Sequence, residues 1–163
     1  MADSPQDYVK KQLKNAHSLE QMSLQMTQAA AKAADDPALR QLFDHHHQET
    51  EEHERLIRER LEAHGESPSM IQDVGARVAA IAKGTSAMLP DDTPGRLVRD
   101  GYVQEQTEIA SYELLRRVAD RAGDTQTAQV ASRILQDERH TADELAGNFD
   151  HAAELSLRAA VAG

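Results

Sequence analysis

An all-α, antiparallel four-helix bundle is the fold this sequence predicts, on three observations. Four long segments carry apolar residues at helical spacing. Pro, Gly and Asp clusters separate them. The separators run short, long, short along the chain. Composition agrees: aromatics make up only 3% of the 163 residues, there is no Trp, and the commonest residues are strong helix formers such as Ala, Leu, Gln, Glu and Arg. A chain of this size holds one core, so residues 1–163 are read as one domain.

The first helix is expected from Pro5 to Ala34, with Ser4 as N-cap and Pro5 at the first helical position. Its inward stripe runs Val9, Leu13, Ala16, Glu20, Ser23 or Leu24, Thr27, and Ala30 or Ala31. A second apolar stripe, Leu19, Met22, Met26 and Ala29, predicts burial on two sides. Asp36 and Pro37 start the second helix, which runs to about His64 before Gly65 caps it. Its stripe is Leu39, Leu42 or Phe43, His46, Glu49 or Thr50, His53, Leu56 or Ile57, and Leu61. Roughly thirty residues follow, too many for a bare loop. Met70, Ile71, Val74, Val78 and Ile81 make this segment a helix-bearing crossover. The third helix spans Pro94 to Ala122, with Leu97 or Val98, Gly101, Glu105, Glu108, Tyr112, Leu115 and Ala119 inward. Gly123-Asp124 turns the chain into a fourth helix from Thr125 to Asp150, with Ala128, Ala131, Ile134 or Leu135, Glu138, Thr141 or Ala142, Leu145 and Phe149 inward. A short C-terminal helix or frayed tail covers Ala152 to Ala162. Two short-turn hairpins joined by one long crossover is the connectivity of ferritin-like bundles.

Several function classes are excluded as expectations. A net charge of −10 argues against nucleic acid as a partner, and Lys10, Lys11 and Lys14 read as a solvated helix face. No run approaches a membrane span, and MADSPQDYVKKQLK lacks the apolar centre of a signal peptide. The absence of Cys rules out thiolate sites and fits a cytoplasmic protein.

The anomaly lies in the middle of the stripes. Each helix places Glu where its neighbours are apolar: Glu20, Glu49, Glu105 with Glu108, and Glu138. A buried, unpaired carboxylate must neutralise itself or find a partner. At ~1.5 Å per residue, Glu20 lies ~24 Å before the Asp36 turn and Glu49 ~20 Å beyond it. Glu108 and Glu138 each lie ~22 Å from the Gly123 turn. All four helices therefore bring a carboxylate to one layer, a charge that two divalent ions would roughly neutralise. Oxygen donors with an imidazole suit Fe, and next Mn. His53, four residues after Glu49, is the first imidazole candidate; His46 is the second. Glu52 and Tyr112 are further candidates for the site or its surround. His45 and His47 flank the stripe and are expected outside, as is His140; Asp137 has helical spacing to His140 but the wrong face.

HSLEQM (17–22), LFDHHHQETEEHERL (42–56), QEQTEIASYELL (104–115) and LQDERHTADEL (135–145) resemble the ferritin-like bacterial stress-protein family typified by YciE and YciF. The likeness spans Tyr8 to Phe149. It implies a dinuclear metal site in the bundle core, often within a dimer, and falls on Glu20, Glu49, Glu105, Glu108 and Glu138. The wider ferritin-like pattern places Glu-x-x-His on helices two and four. Here Glu52 follows Glu49 and Thr141 follows Glu138 at that spacing.

Two functions follow as expectations. One is a di-iron protein that oxidises Fe(II) with peroxide or O₂, Glu49 and one helix-three carboxylate bridging, Glu20 and Glu138 terminal, and His53 completing one iron. The other is a non-catalytic metal-binding or helical interaction protein whose polar layer sets register. A haemerythrin-type carrier would need His on several helices, and helices one and three offer only His17. The second stripe of helix one predicts a homodimer through Leu19, Met22 and Met26.

Overall fold

The computed structural model describes residues 4–67 and 94–162. Among these, five helices form: α1 (Pro5–Ala33), α2 (Pro37–Ala63), α3 (Pro94–Ala122), α4 (Thr125–Gly147) and α5 (Phe149–Ala162). The crossover helix expected at Met70 to Ile81 lies outside the described residues. No described helix is long and apolar enough to cross a membrane.

Local chemistry sets the helix ends. Ser4 and Asp7 form a reciprocal capping box, Ser4 Oγ accepting from Asp7 N at 3.1 Å and Asp7 Oδ2 from Ser4 N at 3.0 Å. Asp36 Oδ1 accepts from the backbone N–H groups of Ala38 and Leu39, each at 3.0 Å. Arg40 turns back to donate twice to the Ala34 carbonyl, which leaves fewer open acceptors where α1 stops. At the α3–α4 turn Gly123 has φ +76°, a left-handed conformation that favours glycine. Asp124 then caps α4 through Thr127 N at 3.0 Å.

The largest difference from expectation lies at the boundary between α4 and α5. α4 ends at Gly147 instead of Asp150, because Asn148 leaves the helix and folds its amide back onto the Glu144 carbonyl at 2.8 Å. The tail is a full helix, α5, packed mainly on α3. Ala152 is buried there, Ser156 Oγ accepts from Gly95 N at 2.8 Å, and Phe149 sets its ring edge against Tyr102 at a centroid distance of 5.7 Å. Phe149 is therefore 39% exposed on α5 and is not an inward residue of α4.

α1 packs on α2 and α3, α3 packs on α4, and the backbones of α2 and α4 approach each other least closely of these pairs. Two apolar clusters fill the bundle. One gathers Val9, Leu13, Ile57, Leu61, Leu115 and Ile134; the other gathers Ala31, Leu39, Phe43, Val98, Leu145 and Ala152. Gly101 allows the second to close, since a Cβ there would lie 3.2 Å from Phe43 Cε1. Between the clusters most of the buried residues are polar.

Candidate metal centre

The polar layer draws on all four bundle helices. α1 supplies Glu20, α2 supplies His46 and His53, α3 supplies Glu105 and Glu108, and α4 supplies Glu138. Each is at most 4% exposed. His46, Glu105, Glu108 and Glu138 each offer a ligand atom such that all lie within 4.8 Å of one another; Glu20, His53 and Glu138 do the same. Glu138 belongs to both groups, so the two candidate metal positions adjoin.

Many of their polar atoms lack a hydrogen-bond partner among the described residues. Glu20 Oε2, both oxygens of Glu105, both of Glu108, and Glu138 Oε2 are buried without a hydrogen bond, as are Nδ1 of His46 and of His53. His46 Nε2 lies 2.8 Å from Glu105 Oε1, and His53 Nδ1 3.0 Å from Glu138 Oε1, near enough for attraction but not aligned for hydrogen bonds. Buried polar groups in folded proteins are nearly always paired, so this concentration of unpaired oxygens needs a cation or protons to balance it.

Electrostatics points the same way. Burial pushes the Glu20 carboxyl up to about 8, and the nearby Glu138 charge adds to it. Burial lifts Glu105 and Glu138 to about 7. Glu108 is driven well above the usual carboxylate range by burial, then by the charges of Glu138 and Glu20. Burial alone would lower His53, but the Glu138 carboxylate beside it wins and raises it to about 9. For His46 burial dominates and lowers it. Without metal the layer must carry protons. With two divalent cations the four buried carboxylates balance the charge, and the neutral imidazoles become donors. The donor set, oxygen-rich with two nitrogens, fits Fe or Mn.

Around this set stand residues that hold it. Tyr112 Oη donates a hydrogen bond to Glu20 Oε1 from a fully buried position. Buried Gln104 stands one turn before Glu108 on α3. Asp137 Oδ2 lies 3.3 Å from His53 Nε2 and fixes the ring's far edge. Asp137 sits on the edge of α4 facing α2, so its phase toward His140 gave no sign of this contact. The buried threonines Thr50 and Thr141 occupy the positions three residues from His53 and Glu138 where the wider pattern has Glu and His.

Other candidates lie elsewhere. Glu49 is outside both groups: its side chain is 23% exposed, accepts from Thr141 Oγ1 at 3.2 Å, and faces His45 at 3.5 Å. Glu52 is held by Arg55 at 2.8 Å and by Arg133 at 3.4 Å. His17 is buried, and its Nε2 meets Glu54 at 3.0 Å, apart from the carboxylate layer. His45 and His140 are exposed, as expected. His47 is not: it is half-buried, with Nδ1 2.8 Å from Thr27 Oγ1, because the α1–α2 seam closes over it.

Comparison with solved structures finds the same fold. A protein of Xanthomonas campestris pv. campestris is 25% identical, with 95% of this chain and 97% of that one covered at a TM-score of 0.77. The E. coli stress protein YciF is 19% identical, with 94% and 99% covered at a TM-score of 0.72. The profile of the family described as domain of unknown function DUF892 matches residues 4–158, almost the whole chain. The chain therefore belongs to the DUF892 family and shares the all-helical fold of these two structures.

Proposed function

We propose that this protein holds two divalent transition-metal ions, iron foremost and manganese second, and that Fe(II) is oxidised there by peroxide or O₂. The observation that carries this reading is the six unpartnered buried carboxylate oxygens between two apolar clusters. Glu20, His46, His53, Glu105, Glu108 and Glu138 are the residues that would hold the ions. A metal pair supplies two electrons and shares the charge of one oxidant. The chain's own part is to exclude bulk water with the flanking clusters, to fix Glu20 through Tyr112, and to orient His53 through Asp137. The stress role named for the E. coli neighbour suits such chemistry, and a reducing cytoplasm suits a chain without Cys. The reading also includes a homodimer through Leu19, Met22 and Met26, which are half-buried on α1.

One observation favours a second, non-catalytic reading. Thr50 and Thr141 stand where additional ligands are found in the wider pattern, so the ligand set is leaner and could retain metal without turning it over. Anaerobic titration with Fe(II), then addition of oxidant, separates the two. Saturation at two ions per chain, followed by spin-coupled ferric iron in the Mössbauer spectrum, supports oxidation. Saturation without oxidant consumption leaves retention. No saturable uptake, or uptake equal to that of a Glu105→Gln, Glu138→Gln double variant, refutes both.

A further inference from the structure

The α2–α4 seam differs from the other seams at the depth of the polar layer. Its rungs are donor atoms: Glu49 faces Thr141, and one helical turn along His53 faces Asp137. Asp137 is 40% exposed and Glu49 23%, yet each is one step from the buried groups. The steps are continuous: Asp137 touches His53 Nε2, and His53 Nδ1 lies 3.0 Å from Glu138, whose Oε2 is fully buried and unpartnered.

Charge also sets this seam apart. Glu54 on the α1–α2 seam is engaged by His17, Gln21 and Arg58. Glu113 at the α3–α4 seam is engaged by Arg116, Arg117 and Arg139. Glu52, at the other end of the same α2–α4 ladder, is engaged by Arg55 and Arg133. Glu49 and Asp137 have only histidines within ion-pair distance among the described residues, so their negative charge is not cancelled by Lys or Arg. We infer that Glu49 and Asp137 form the port through which hydrated divalent cations reach the buried centre between α2 and α4. The inference rests on the metal reading of that centre. Glu49 and Asp137 attract the cation and replace part of its hydration shell. His53 then marks the way to Glu138, and Thr141 holds Glu49 at the mouth.

The test is the rate of loading, apart from any turnover. Metal-free protein is mixed with Co(II) in a stopped-flow instrument, and its visible absorption is followed at low and high salt. Wild type should load faster at low salt, because steering by exposed charge is screened. A Glu49→Gln, Asp137→Asn double variant should load about tenfold more slowly and lose most of that salt dependence. Each single variant should fall between, and Glu49→Gln should reach the wild-type final stoichiometry and Co(II) spectrum. Glu51→Gln, on the exposed side of α2, should load at the wild-type rate. Wild-type loading by the double variant would overturn the port. So would a lost equivalent of Co(II) or an altered final spectrum in Glu49→Gln, since Glu49 would then be a ligand. If wild type itself takes up no Co(II), the metal reading of the centre falls, and the port falls with it.

Discussion

The metal-free protein should lose stability as pH rises from 5 to 8, and bound metal should reverse the trend. Glu105 and Glu138 titrate in the fold at about 7 and Glu20 at about 8, against 4.5 in the unfolded chain. Between these values the folded state keeps protons that the unfolded state releases, so raising pH favours unfolding. His53, raised to about 9, acts in the same direction above its ordinary value. His46, lowered by burial, opposes them, but it is one group against several. At ~1.4 kcal/mol per pH unit, one such carboxyl is worth on the order of 3 kcal/mol. The groups share a small volume, and the first proton relieves much of the repulsion on the rest. The whole layer should therefore cost a few kcal/mol, a fall in Tm on the order of 10 °C for a domain this long. Metal competes with those protons, so its stabilisation should grow with pH, reaching roughly 2.7 kcal/mol at a hundredfold excess over Kd. Calorimetric melts from pH 5 to 8 in chelator and in Mn(II) test this. A metal-free Tm that stays flat or rises over that range would refute the argument, because it would mean the carboxylates are ionised and hydrated when metal is absent. The Glu105→Gln, Glu138→Gln double variant should flatten the chelator curve.

Three further outcomes are expected. Tyr112→Phe leaves Glu20 Oε1 without its donor and should cost about 1–3 kcal/mol in urea unfolding while weakening Mn(II) binding about tenfold. Gly101→Val brings a Cβ to 3.2 Å from Phe43 Cε1 and 3.4 Å from Leu145 Cδ2, and should lower stability by about 1–3 kcal/mol through overpacking, read from the urea midpoint. Light scattering at micromolar concentration should give twice the 18.0 kDa chain mass, and Met22→Glu should halve it; a monomeric wild type would overturn the pairing.

Much of the fold was legible because each helix carries its own evidence. Pro37, Gly123 and Pro94 punctuate the chain where helices start and turn, and the apolar stripes between them continue for many turns. The most displaced boundary, between α4 and α5, followed from local ambiguity. Phe149 continues the phase of α4, and only the Asn148 amide, bonding to Glu144 O, shows that the chain has left it. The centre was legible where a carboxylate replaced an apolar residue on a well-defined stripe, which is how Glu20, Glu105, Glu108 and Glu138 stand out.

α2 resisted for a physical reason. Residues 46, 50, 53 and 57 form its buried row, yet Glu49 is three residues from His46 and four from His53, so the stripe alone fits position 49 as well as 50. Packing chooses Thr50, which is 1% exposed, and turns Glu49 toward the seam. α2 thus brings two imidazoles to the layer instead of a carboxylate and an imidazole. Asp137 was beyond reach of phasing altogether. Its contact with His53, 84 residues away in sequence, depends on the register between two helices, and no periodicity within one helix encodes that. The residues hardest to read lie on a seam, and seams are where a buried charge can meet solvent. A stripe analysis finds what must be hidden, while access to it is set by what two helices place opposite each other. Here that opposition puts the Asp137 carboxylate beside His53 and Glu49 one turn away, between the two bundle neighbours whose backbones approach least closely.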